Sequence, residues 1–63
     1  MIREVSFGSR RIQYELQHVG RETIAIAVHA DGRVVVRAPV RLSAVVADVR
    51  VARRGAWILR RLR

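Results

Sequence analysis

The sequence predicts an α+β fold: a four-stranded antiparallel sheet made of two hairpins, followed by a carboxy-terminal helix kinked near Gly55. Three observations predict it. Apolar residues recur with a period of two through the segment ending at Pro39. From Ser43 onward the apolar period becomes helical. Between the last two alternating runs stands Asp31-Gly32, a pair suited to a tight hairpin turn. The 63 residues allow one small domain, with the sheet over about 2–39 and the helical tail over about 43–62.

The first strand is short, with Val5 and Phe7 on one face, and Gly8-Ser9 turns the chain back. In the second, Ile12, Tyr14 and Leu16 alternate with Gln13, Glu15 and Gln17, so one face is buried and the other wet. In the third, Ile24, Ile26 and Val28 alternate with Ala25, Ala27 and His29. Val34, Val36 and Ala38 repeat the pattern in the fourth, and Pro39 ends it because proline has no ladder donor.

Turn geometry sets the register of the second hairpin. A two-residue Asp-Gly loop would pair Ala30 with Arg33 and place Ile26 opposite Arg37, mixing apolar and charged side chains on both faces. A three-residue loop of Ala30, Asp31 and Gly32 pairs His29 with Arg33 instead. Val28 then faces Val34, Ile26 faces Val36 and Ile24 faces Ala38, and one face becomes wholly aliphatic. This loop needs a left-handed residue at its end, and Gly32 stands there. The three-residue loop is therefore the expected one.

Ser43 is the expected helix N-cap. Val45, Val49, Ala52, Ala56 and Leu59 recur at helical spacing and form the expected buried stripe. Trp57, Ile58 and Leu62 leave that stripe if the helix runs straight. A break near Arg53-Arg54-Gly55 repairs this, because Ile58, Leu59 and Leu62 then share a face, and Gly costs only ~1 kcal/mol relative to Ala in a helix.

Composition narrows the function. There is no Cys, so no disulfide or thiolate metal site is available. The hydrophobic content of 51% in patterned order argues against disorder. The longest uncharged run, Thr23 to Ala30, is too short for a bilayer, which needs ~20 apolar residues. Arg3 and Glu4 follow Met1 with no apolar run behind them, so no signal peptide is expected, and the predicted location is cytoplasmic without a membrane partner. His18 and His29 are the only nitrogen ligands and lie on different strands, too few for a zinc site, and no cofactor is expected. Ser6, Ser9, Ser43 and Thr23 show no base-and-orienter arrangement. Gly8, Gly20, Gly32 and Gly55 are isolated and make no phosphate loop.

The arginines are less evenly spread. All 13 basic residues are Arg, against 5 acids, which gives +8. Arg50, Arg53, Arg54, Arg60, Arg61 and Arg63 follow the last acid, Asp48, and form a candidate polyanion-binding cluster. The plainer reading is a solvated helix face. Phe7, Tyr14 and Trp57 are the only aromatics, so no platform for stacking bases is evident.

The run from Val28 through Asp31-Gly32 and Val34-Val35-Val36-Arg37 to Ala38-Pro39, with Tyr14-Glu15-Leu16 before it and Trp57-Ile58 after it, resembles the amino-terminal part of the YgjP-like zinc metallopeptidases, relatives of the SprT-like and WLM peptidases. Nearly the whole chain takes part. Arg21 and Thr23-Ile24 fit the family's segment before the hairpin, whereas His18-Val19 stand for Arg-Ser and Glu22 for a basic residue. The family's catalytic His-Glu-x-x-His helix, whose two His bind zinc while the Glu activates water, would lie beyond Arg63. The resemblance therefore implies a non-catalytic stand-alone module, and no catalytic or metal-binding residue carries over.

Such a module implies a partner, either a second copy or a protein supplying the catalytic part. Chains below ~70–80 residues rarely bury a core worth more than ~3–5 kcal/mol without staples or oligomerisation. Val5, Phe7, Trp57, Ile58 and Leu62 are the candidate interface residues of a homo-oligomer. Nucleic acid is the alternative partner, through the Arg cluster.

Overall fold

The computed structural model describes residues 1–63. Four strands, β1 (Ile2–Phe7), β2 (Arg10–Val19), β3 (Ala25–Val28) and β4 (Val34–Pro39), precede two helices, α1 (Ala44–Arg53) and α2 (Gly55–Arg61). The α+β class, both hairpins and the helix break follow the sequence prediction. The strand order is β1-β2-β4-β3.

β1 and β2 pair antiparallel, with Val5 opposite Ile12 and Arg3 opposite Tyr14. β3 and β4 also pair antiparallel, in the register expected of the three-residue loop: Val28 faces Val34 and Ile26 faces Val36. The His29 N–H donates to the Arg33 carbonyl at 2.8 Å, and Gly32, at φ 91°, donates to the His29 carbonyl at 2.9 Å. Ile24 lies just before β3 and outside the ladder.

One expectation needs correcting. The sheet is mixed, because the two hairpins join along β2 and β4, which run parallel, with Leu16 beside Val36 and His18 beside Ala38. The reason lies in the run Val34-Val35-Val36. Val35 puts a bulky apolar side chain on the second sheet face, and an inner position lets strands on both sides shield it. All three valines are buried, Val35 on the sheet face away from the helices. β3, with small Ala25 and Ala27 on that same face, takes the edge.

The helices cover the other face. Ile12, Tyr14, Leu16, Val34, Val36 and Ala38 from the sheet meet Ala47, Val51 and Ile58 from the helices in one core. Complete burial of an Ile- or Leu-sized side chain contributes ~1.5–3 kcal/mol. Ser43 caps α1 as expected, its Oγ accepting from the Val46 N–H at 3.2 Å. At the break, Arg54 leaves helical geometry (φ −101°, ψ 14°) and its N–H donates to the Val51 carbonyl at 3.0 Å.

The buried side of the helix is a second correction. Val45, Val49 and Ala56 are exposed, and Ala52 and Leu59 only half-buried. The core-facing residues are Ala47, Val51, Gly55 and Ile58, with Ala44 beside them. Small side chains at 44, 47 and 55 let the helices sit close to the sheet, which the bulkier valine stripe would prevent. Gly55 shows this most directly: the Phe7 ring occupies the place where a Cβ would be.

Candidate functional site

α1 crosses the sheet with different chemistry on its two flanks. On the β1 side, helical spacing puts Asp48 next to the buried Ala47 and Val51, facing Arg3 and Tyr14 across the sheet. Arg3 Nε donates to Asp48 Oδ1 at 3.2 Å and Arg3 Nη2 to Oδ2 at 2.5 Å, a bidentate pair. The Tyr14 hydroxyl donates to Asp48 Oδ1 at 2.5 Å. The hydrogen bond from Arg3, assisted by the one from Tyr14, holds the Asp48 carboxyl below its ordinary value despite some desolvation. Burial pushes the Tyr14 phenol up, and donation to Asp48 adds to that. Arg3 is raised in turn by its bond to Asp48. A carboxylate this firmly ionised beside a phenol this firmly protonated exchanges no proton near neutrality. The cluster pins β1, β2 and α1 together.

Sequence reasoning missed this cluster. The available signal was Asp48 itself, the only acid after Asp31, three residues before Val51 on the small-residue stripe.

On the β3 side, Arg50, Arg53 and Arg54 line a groove of about 290 Å³ whose floor is Ile24 and Ile26. Arg54 and Arg61 place their guanidinium carbons 5.0 and 5.2 Å from the Trp57 ring centre, so both cations lie over the half-buried indole. Arg60 and Arg63 are exposed beyond α2's last buried residue. The three ion pairs of the chain engage Arg3, Arg11 and Arg33, and none of these six arginines. Four of the six thus line the groove or lie over Trp57, with Arg54 at both. Arg50 and Arg53 in the last turn of α1, and Arg60 and Arg61 in the last turn of α2, also complement the helix dipoles.

The remaining candidates lie elsewhere. His18 Nε2 donates to the Leu42 carbonyl at 2.8 Å, and His29 stands at the hairpin end, so the two imidazoles do not converge. No three His, Asp or Glu side chains gather in reach of one ion. Of the candidate interface residues, Val5 and Phe7 pack half-buried against this chain's own core, and Ile58 is fully buried in it. Trp57 is half-buried and Leu62 is 39% exposed. Val45, Val46 and Val49, at 67, 42 and 48% exposure, make the larger bare apolar surface, on the outer side of α1. No helix is long and apolar enough to cross a membrane. No protein-family profile, curated protein or solved structure matches the chain.

Proposed function

We propose that the chain is a non-catalytic module of the type that opens the YgjP-like metallopeptidases, acting as a structural and interaction unit. The observation that carries this reading is the outer face of α1. Val45, Val46 and Val49 lie bare on a helix whose opposite face is already packed on the sheet. Contiguous exposed apolar surface marks interaction sites on small proteins. The order of elements supports the resemblance: two hairpins, the three-residue Asp-Gly turn, and a broken helix bearing Trp57-Ile58.

The covering surface is a second copy or a protein that supplies the catalytic part. Self-association through α1 would bring Arg50 and Arg53 of two copies together, so added salt should strengthen a homo-oligomer by screening +8 against +8. Two measurements test the reading. Purified chain should hold no stoichiometric zinc and turn over no peptide substrate; tightly bound zinc with turnover overturns the non-catalytic assignment. Sedimentation equilibrium, with the catalytic part of such a peptidase present or absent, should show association that Val45→Ser with Val49→Ser abolishes.

A second reading is favoured by Trp57 with Arg54 and Arg61 over its ring. A base that displaced one guanidinium from over the indole would stack on the ring while that arginine turned to its phosphate, joining stacking to phosphate neutralisation as in proteins that hold single-stranded nucleic acid. Arg phosphate contacts release counterions, so binding would weaken steeply with salt. Replacing Arg53, Arg54, Arg60 and Arg61 by Gln should flatten that dependence, and absence of binding at low ionic strength rejects this reading.

A further inference from the structure

We propose that the free edge of β3 is a docking edge for an extended acidic segment of a partner protein, which adds as a fifth strand and places carboxylates beneath Arg50 and Arg53. The backbone supplies the first half of the argument. His29 and Arg33 form a hydrogen-bonded pair, so alternation along an antiparallel ladder makes Ala27 with Val35 the next such pair. The peptide groups of Ile26 and Val28 therefore point away from β4, towards the open edge of the sheet. Natural edges are blunted by shortness, proline, inward charges or bulges, and β3, though only four residues long, carries no proline, charge or bulge in Ala-Ile-Ala-Val. The opposite edge differs, since β1 carries Glu4 and the inward-facing Arg3.

The side chains supply the second half. A strand added at this edge lies ~4.8 Å from β3, and its alternate residues face the helices. Those residues enter the groove floored by Ile24 and Ile26 and walled by Arg50, Arg53 and Arg54. Glu22 at the neighbouring mouth, beside Thr23 and Arg50, is the one acid close by. An occupant with acidic residues at the positions facing the helices satisfies the edge amides and the wall, their methylene stems lying over the floor. Its aliphatic residues lie beside Ala25 and Ala27 on the other face. A second copy of β3 is a poor occupant, because its own Arg50 and Arg53 would arrive with it. This edge is separate from the outer face of α1, so either docking proposal can fail without the other.

The test uses the intact chain and a capped eight-residue peptide of alternating Val and Glu. Titration calorimetry at low and physiological salt is paired with amide hydrogen exchange. We expect binding that weakens with salt, and exchange at the Ile26 and Val28 amides slowed at least tenfold. Alternating Val and Lys, or the Val-Glu peptide methylated on alternate backbone nitrogens, should bind at least tenfold more weakly. Arg50→Gln with Arg53→Gln should lose at least tenfold while keeping the circular dichroism of the parent. Failure to bind, equal binding of the methylated peptide, or unchanged exchange at Ile26 and Val28 overturns strand addition. Binding of a twelve-residue oligothymidine with none of the peptide assigns the groove to nucleic acid instead.

Discussion

Along its β1 flank, α1 is tied down: Asp48 accepts from Arg3 and Tyr14, and just beyond the helix Gly55 admits the Phe7 ring. Along its β3 flank the same helix overhangs an open groove, with Arg50 and Arg53 outside every ion pair of the chain. Both flanks carry charge, yet only one compensates it. A carboxylate with three converging donors acts on the fold, holding strands and helix in register. Uncompensated guanidinium groups beside half-buried isoleucines add little to the fold and remain free to act on something else. Solvated arginines contribute ~0–1 kcal/mol, whereas a buried hydroxyl deprived of its acceptor costs ~1–3 kcal/mol.

The strongest way to break this contrast is Asp48→Ala. It strands the Tyr14 hydroxyl, on a residue only 1% exposed, and leaves Arg3 unpaired, for an expected loss of about 1–3 kcal/mol in urea unfolding. Tyr14→Phe removes the donor and keeps the ring, so its cost should be smaller. Acid sharpens the same point. The folded-state carboxyl of Asp48 lies below its ordinary value, so its contribution is present above the unfolded pKa and fades as pH falls through the folded one. Asp31 is likewise lowered, chiefly by the Arg33 N–H, but its side chain lies in solvent at the hairpin turn. Stability measured from pH 5 downward should therefore fall more steeply for the parent than for Asp48→Ala.

Gly55→Ala tests the close approach. Helix propensity alone favours Ala by ~1 kcal/mol, whereas overlap with Phe7 costs ~1–3 kcal/mol. Net destabilisation of about 1 kcal/mol is expected, and the sign should reverse in a Phe7→Ala background. A stabilised single variant would show that the ring moves aside freely. The smallest effect should come from the other flank. Arg50→Gln with Arg53→Gln should change the unfolding midpoint by less than the equivalent of about 0.5 kcal/mol. A larger loss would make those arginines part of the fold and erase the contrast.

Much of this architecture was legible because it rests on local chemistry. Alternation marked the strands, and the need for a left-handed residue at Gly32 chose the three-residue loop and with it the pairing of Ile26 with Val36. The Ser43 hydroxyl and the weak helical preference around Gly55 placed the start and the break of the tail. The six terminal arginines were equally plain as a charge cluster, since nothing after Asp48 offsets them.

Tertiary structure alone decided three things. Strand order follows the bulky apolar side chain on the face away from the helices; Val35 carried that signal, but period-two alternation gives weight only to Val34 and Val36. The buried side of α1 was ambiguous because both sides are apolar, and periodicity ranks Val45 and Val49 above Ala44 and Ala47 by size. Packing ranks them the other way, since the smaller side chains bring the helix close enough for Asp48 to reach Arg3 and Tyr14. That approach also sets arginines along a groove with Ile24 and Ile26 and over Trp57, neighbours brought together by the fold and by a helical turn rather than by the order of the chain. The sequence determined the pieces and their turns through contacts a few residues long; which faces met was decided by the volume and polarity of side chains distant in sequence.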